Sequence, residues 1–231
     1  GDWQVWLILA GRGWGKTRTG AMDVIFYALR NPEVQVAVVT PTFGDIRRTA
    51  FGGVSGILKF LPRECLMGGT GRGYNATASE INLYNGSKIM GFSATEPDRL
   101  RGPQFHRAWC DEIAAWQYPE TFDQLMFGLR LGDNPQCIIT TTPKPTPIIR
   151  QLIERDDCHV TTGSTFENEA NLAKSALQML KEKYEGTTLG RQELYAEVID
   201  MLEGALWNNA SIEETRLPTK TEKDLTQIIV A

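Results

Sequence analysis

A glycine-rich turn that ends in a lysine and a threonine lies close to the start of the sequence. Residues 10–17 read Ala-Gly-Arg-Gly-Trp-Gly-Lys-Thr and follow the apolar run of residues 5–9. In such a turn the backbone N–H groups cradle phosphates, the lysine reaches the β- and γ-phosphates, and the threonine hydroxyl holds Mg²⁺. Chance glycines in an ordinary turn are the alternative. The turn therefore predicts a nucleotide and Mg²⁺ as ligands, with Thr17 on the metal and the nucleotide held by Gly11, Arg12, Gly13, Trp14, Gly15, Lys16, Thr17 and Arg18.

A pair of adjacent carboxylates, Asp111 and Glu112, follows a strand predicted at residues 105–110. Hydrolysis of a bound nucleotide needs a carboxylate that holds the metal and a group that positions the attacking water. We expect Asp111 to hold Mg²⁺ and Glu112 to orient or deprotonate the water. Because the strand mixes polar with apolar residues, an exposed acidic pair that opens a loop is the alternative.

Three consecutive threonines, Thr140, Thr141 and Thr142, end the next predicted strand, at residues 136–142. The carboxyl ends of parallel strands form one crevice, so these hydroxyls are expected to face the γ-phosphate. The preference of threonine for strands is the alternative explanation.

Arginines near a γ-phosphate stabilise the charge of the transition state. Arg12 lies inside the glycine-rich turn, and Arg99 and Arg101 lie in the loop before Asp111. An ordinary solvated position is the alternative for each, although the backbone of Arg12 is already placed at the phosphates.

The base of the nucleotide has weaker candidates. Trp3, Trp6 and Trp14 are expected around the nucleotide end, where one of them could stack on adenine, and core packing is favoured for Trp6. Gln4 is a further candidate for reading the edge of the adenine.

The elements that must position these residues alternate between short apolar runs and helical patterns, which is typical of a parallel sheet covered by helices. Asn-Gly at residues 85–86 predicts a hairpin, and residues 67–79, with four glycines, predict a loop. Strands are predicted at residues 5–10, 34–40, 80–84, 88–92, 105–111, 136–142 and 158–162, and helices at 17–30, 45–61 with glycine interruptions, 119–131, 148–155, and 172–202 split at residues 186–188.

The composition fits an ordinary globular chain. Of 231 residues, 42% are hydrophobic and 23% are charged, and no apolar run approaches the length of a membrane span. The net charge of −4 argues against a static DNA binder but not against a motor that grips DNA through a few loops. The four cysteines and two histidines lack metal-ligand or disulfide spacing, which favours an intracellular protein.

Together these motifs resemble the ATPase part of the large terminase subunit of tailed bacteriophages and prophages. The resemblance covers nearly the whole chain and rests on four segments: residues 2–21 around the glycine-rich turn, Leu-Arg-Gly-Pro-Gln-Phe at 100–105 before Trp-Cys-Asp-Glu at 109–112, Thr-Thr-Thr-Pro-Lys-Pro-Thr-Pro at 140–147, and residues 184–194. It implies a P-loop NTPase of the ASCE/RecA-like kind, with a mostly parallel sheet, a strand inserted between the P-loop strand and the Asp-Glu strand, and a small helical lid.

The resemblance also implies roles and partners. ATP hydrolysis would drive double-stranded DNA into a procapsid, with subunits in a ring on the portal protein, supplied by a small terminase subunit, in the cytoplasm of a bacterial host. Glu112 would be catalytic, residues 140–142 would form the coupling motif, Arg101 would reach the ATP of a neighbouring subunit, and Arg12 would act within its own subunit. No membrane partner is expected.

The expected domains are an ATPase core at residues 1–165, a lid and linker at 166–205, and at 206–231 a linker with the first strand of a truncated nuclease domain. The chain lacks an initiator methionine and stops where the first nuclease carboxylate would come, so we expect a fragment without DNA cleavage. Two other functions stay open from the residues: a helicase-like translocase, and an assembly module that binds ATP without useful turnover.

Overall fold

The computed structural model of the chain describes residues 3–68, 73–184 and 186–197. Its strands are β1 (Val5–Ala10), β2 (Gln35–Thr40), β3 (Tyr74–Asn75), β4 (Glu80–Asn82), β5 (Lys88–Ser93), β6 (Arg107–Asp111), β7 (Gln136–Thr141) and β8 (Cys158–Gly163). Its α-helices are α1 (Lys16–Arg30), α2 (Phe43–Asp45), α3 (Ile57–Phe60), α4 (Glu120–Gly128), α5 (Pro147–Ile153), α6 (Lys174–Tyr184) and α7 (Thr188–Glu193). A π-helix spans Ile46–Phe51, and 3₁₀ helices span Arg63–Cys65, Pro97–Leu100, Ile113–Ala115 and Thr165–Asn171.

The strands form one sheet in the order β3-β4-β5-β2-β6-β7-β1-β8. From β5 to β8 in this order every neighbouring pair is parallel, whereas β3 and β4 are antiparallel additions at one edge. The predicted mostly parallel α/β sheet is therefore confirmed. β7 lies between β1, which leads into the glycine-rich turn, and β6, which ends in Asp111, as the resemblance implies.

Helices cover both faces of the sheet, because successive strand residues point to opposite sides. In β1, Leu7 and Leu9 pack with α4 and α5 on one face, and Ile8 packs with α1 and α3 on the other. Two hydrophobic cores result, one for each face. This arrangement fixes the carboxyl ends of β1, β6 and β7 side by side.

Helix α1 approaches the sheet closely at Gly20. A Cβ atom there would overlap the indole ring of Trp109, a fully buried residue of β6. Glycine at this position thus lets the helix that follows the turn pack flat on the strand that ends in Asp111. The two halves of the predicted site are held against each other by this contact.

The polar residues that make β6 an unusual core strand have partners in the structure. Arg107 is 7% exposed and forms an ion pair with Asp23 of α1, at 2.7 Å between Nη2 and Oδ1. His106 Nδ1 accepts a hydrogen bond from the backbone N–H of Gln35. These contacts explain why a mixed sequence is buried as a central strand.

Two boundaries differ from the prediction. The helix predicted at residues 119–131 ends at Gly128, because Leu129 leaves helical geometry and pairs with Phe105 as an isolated bridge. The strand predicted at 158–162 as part of the core is the edge strand β8, so only one of its sides has a neighbouring strand, and His159 is exposed.

Most other predictions of elements are confirmed. The hairpin forms between β4 and β5, the glycine-rich stretch at 45–61 breaks into short helices, and the helical region after residue 172 is split at the predicted place into α6 and α7. Residues 69–72 of the predicted loop, and the predicted packing positions Val198 and Leu202, lie outside the described residues. Within the described ranges, no helix combines the length and apolarity needed to cross a membrane.

Candidate active site

The glycine-rich turn connects β1 to α1 and owes its shape to two left-handed residues. Gly13 has φ +82° and Gly15 has φ +114°, a region that side chains disfavour. Lys16 begins α1 and is only 8% exposed. Its Nζ donates hydrogen bonds to the carbonyl oxygens of Ala10, at 2.9 Å, and Gly11, at 3.1 Å. Burial lowers the pKa of Lys16, and the nearby Glu112 opposes that effect.

Asp111 ends β6 beneath the turn and is 3% exposed. The Thr140 hydroxyl donates a hydrogen bond to Asp111 Oδ1 at 2.8 Å and accepts one from Trp109 Nε1, also at 2.8 Å. Burial, and then the charge of Glu112, raise the pKa of Asp111 to about 7, while the bond from Thr140 favours the ionised form. Asp111 is thus a desolvated carboxylate that a cation would hold ionised.

Glu112 has a strained backbone that its neighbours hold in place. Its φ of +48° and ψ of +49° are left-handed, which is uncommon for a residue with a side chain. Its N–H donates to the Thr140 carbonyl oxygen at 2.6 Å. Its Oε2 accepts from the Thr141 hydroxyl at 3.4 Å, the Thr142 N–H at 3.3 Å and the Thr142 hydroxyl at 3.4 Å. The three threonines therefore touch both carboxylates.

A cleft of about 1010 Å³ runs across the turn. Lys16 Nζ and Glu112 Oε1 face each other there at 4.0 Å. Of the candidate site residues, the cleft is lined by Arg12, Gly13, Trp14, Gly15, Lys16, Thr17, Arg18, Glu112 and Thr142. Gly11, Asp111, Thr140 and Thr141 are buried and do not belong to that lining.

The arginines lie in different surroundings. The Arg12 side chain is 73% exposed and lies 3.4 Å from Glu193. Arg101 is exposed directly after the 3₁₀ helix Pro97–Leu100 and pairs with Asp98 at 3.1 Å, and Arg99 pairs with Glu96. The structure does not bring Arg99 or Arg101 into the cleft of their own chain.

The expectation that Trp3 and Gln4 lie at the nucleotide end is wrong. The Trp3 carbonyl oxygen accepts a hydrogen bond from Gln136, the first residue of β7, and Gln4 contacts Arg155 just before β8. Both lie at the amino ends of the strands, and the turn follows the carboxyl end of β1. Trp6 packs within the sheet, as expected, and only Trp14 of the three tryptophans reaches the cleft.

Residues after β8 hold the turn from its outer side, and sequence reasoning missed them. Thr165 Oγ1 donates to the Arg12 carbonyl oxygen at 2.8 Å, and Asn168 Nδ2 donates to that of Gly13 at 2.7 Å. The Arg12 N–H donates to the Glu193 carbonyl oxygen at 2.7 Å. The missed residues in the cleft lining include Asn168, Asn171, Leu172 and Lys144, and only Lys144, in the Pro-rich segment after the threonines, lies in a motif noted from the sequence.

The residues present fit a magnesium ion. Thr17 lines the cleft, and buried Asp111 has a raised pKa that a bound cation would lower. Mg²⁺ usually binds one or two protein oxygens together with phosphate oxygens and water. A hydroxyl and one carboxylate beside a phosphate-binding turn supply that donor set.

This fold and site define a P-loop NTPase with an inserted strand between its phosphate-binding strand and its acidic strand. Residues 7–214 match the family model described as "Terminase large subunit, T4likevirus-type, N-terminal". The chain belongs to this family of terminase large subunits, which confirms the resemblance noted from the sequence.

Solved structures of phage terminases share the fold. The large terminase ATPase domain of Thermus phage P74-26 superposes with a TM-score of 0.64 at 16% identity, covering 86% of this chain and 90% of that one. The large terminase of a second, thermophilic bacteriophage, solved in complex with ADP, gives a TM-score of 0.68 at 14% identity, covering 86% of this chain. This chain spans about half of that second protein, 49% of its length. No curated protein matches the sequence.

Proposed function

We propose that the chain hydrolyses ATP to drive double-stranded viral DNA into a procapsid. The observation that carries the hydrolytic part is the contact of Thr140, Thr141 and Thr142 with Asp111 and Glu112, beside a phosphate-binding lysine. Membership of the terminase large-subunit family supports the packaging part. The solved complexes of the thermophilic phage terminase with ADP and with ATP-γ-S support a nucleotide ligand.

Each residue of the cleft has a task in the proposed reaction. Lys16 and the N–H groups of the turn bind the phosphates, and Thr17 and Asp111 would hold Mg²⁺. When bound, the ion would neutralise charge on the β- and γ-phosphates. Glu112 accepts a proton from water as the water oxygen bonds to the γ-phosphorus, and the bond to the bridging oxygen of ADP breaks.

The proposed partners follow from the family rather than from contacts in this chain. Subunits would form a ring on the portal protein, receive DNA from a small terminase subunit, and work in the cytoplasm of the bacterial host. In such a ring Arg101, exposed and outside its own cleft, is placed to reach a neighbour, while Arg12 stays beside its own phosphates.

Glu112→Gln tests the hydrolytic role. The amide keeps the size and the hydrogen-bond acceptor of the side chain but cannot take the proton, so we expect turnover to fall at least about a hundredfold with ATP affinity nearly unchanged. Phosphate release and nucleotide titration measure the two quantities. Glu154→Gln, at the end of α5 and outside the cleft, is the matched control. Retained turnover in Glu112→Gln would refute the assignment.

Mixed subunits test the ring. If Arg101 acts on a neighbour, mixing Arg101→Ala with Glu112→Gln subunits should restore part of the ATPase activity, because some interfaces then contain both functional groups. Absence of rescue at every ratio would leave Arg101 with a role inside its own subunit. The rate should also rise with protein concentration, whereas a flat zero would favour a binding module, and strand separation on tailed duplexes would favour a helicase.

A further inference from the structure

The cleft continues beyond the turn onto Asn168, Asn171 and Leu172, which follow β8. In the sheet, β8 lies on one side of β1, whereas β6, which precedes Glu112, lies on the other. Water and leaving group occupy opposite sides of the γ-phosphorus in an in-line attack. With the water at Glu112, the nucleoside extends toward the β8 side, and its base comes to the part of the cleft that these residues line.

A chain of hydrogen bonds fixes the orientation of two amide side chains in this part of the cleft. The carbonyl oxygen of Gly13 can only accept, so Asn168 presents Nδ2 to it, at 2.7 Å. Asn168 Oδ1 then accepts from Asn171 Nδ2, also at 2.7 Å. The turn thus determines which end of each amide is donor and which is acceptor.

This relay leaves Asn171 with its carbonyl oxygen available to a ligand. Asn171 is exposed at the cleft, and among the described residues Oδ1 accepts no hydrogen bond. Leu172 lies beside it and packs over Gly13, where its Cδ2 is 3.0 Å from the position of an added Cβ. An apolar surface next to one directed acceptor matches a planar base with a donor on its edge.

We propose that Asn171 determines base specificity by accepting a hydrogen bond from the exocyclic amino group of adenine. The proposal rests on the proposed function, in which the cleft takes ATP. A base with a carbonyl oxygen in place of the amino group, such as guanine or hypoxanthine, would set two acceptors against each other. Asn171 cannot rotate its amide to relieve this without breaking the bond to Asn168.

Diphosphates that differ in one group of the base test the proposal on the unaltered chain, without hydrolysis. ADP, inosine diphosphate and purine riboside diphosphate carry an amino group, a carbonyl oxygen and a hydrogen at the same position. Isothermal titration with Mg²⁺ should give ADP about five- to tenfold tighter binding than the inosine compound, with the purine compound between them. Equal affinities for the three would overturn the proposal.

Asn171→Leu removes the acceptor at similar volume, so the three affinities should converge. Asn134→Leu, at an exposed loop position outside the cleft, should keep the wild-type ratio. An unchanged ratio in Asn171→Leu would overturn the role of this residue. Glu112-dependent hydrolysis without base preference would refute this proposal alone, whereas absence of binding of any nucleotide would refute the proposed function as well.

Discussion

Replacing Asp111 with asparagine is expected to stabilise the protein at neutral pH when metal and nucleotide are absent. Burial and Glu112 raise the pKa of Asp111 from 3.8 to about 7. Between these two pH values the folded state binds the proton more tightly than the unfolded state, so the free energy of unfolding falls as pH rises. The stability is fully present below about pH 3.8 and is lost by about pH 7. Asparagine cannot ionise and avoids this loss.

The size of the effect follows from the two pKa values. Each pH unit between 3.8 and about 7 corresponds to about 1.4 kcal/mol, so the full loss is about 4 kcal/mol. The hydrogen bond from Thr140 is kept, because the asparagine carbonyl oxygen accepts it as the carboxylate does. The expected gain for Asp111→Asn is therefore near zero around pH 4 and about 4 kcal/mol at about pH 8.

Urea unfolding across this pH range, with a chelator present, measures the difference. Asp133→Asn, at an exposed loop carboxylate, is the control and should change stability by less than about 0.5 kcal/mol at every pH. Adding Mg²⁺ with ADP should raise the stability of the wild type more than that of Asp111→Asn. A gain for Asp111→Asn that does not depend on pH would refute the argument that burial of the charge is its cause.

Two further predictions concern the packing under the site. Gly20→Ala should cost about 1–3 kcal/mol of unfolding free energy and reduce ATPase activity, since the methyl group displaces Trp109; Gly102→Ala, with open space around it, should cost little. Asp23→Ala should cost about 3–5 kcal/mol in urea unfolding, because it leaves Arg107 buried without its carboxylate; a loss below about 1 kcal/mol would show that Arg107 is solvated after the change.

The sheet could be predicted where the evidence is local. Short apolar runs and turn residues mark β1, β2, β5 and β7, and polar residues at the carboxyl ends of strands predict the edge that carries the site. The strand order is a non-local property. The insertion of β7 between β1 and β6 came from the family resemblance, because no periodic pattern specifies which strands become neighbours.

The errors and omissions have physical causes. Trp3 and Gln4 precede β1, so in a parallel sheet they belong to the edge opposite the site, and the direction of the strand alone excludes them. The anchoring residues after β8 could not be found in this way. Asn168 and Gly13 are separated by 155 positions, and a side-chain amide that caps a backbone carbonyl leaves no spacing pattern in the sequence.

The two sides of the cleft are held by separate parts of the chain. On one side, Glu112 is kept in a strained conformation by bonds to the end of β7, so that the carboxylate is fixed before substrate arrives. On the other side, the carbonyl oxygens of the turn are bound by residues after β8, among them Thr165 and Asn168. Because the inward N–H groups of the turn belong to the same peptide units, this second set of bonds orients the groups that bind phosphate. The sheet thus positions the chemistry and the later segment positions the nucleotide, and the glycine-rich turn is the part that both share.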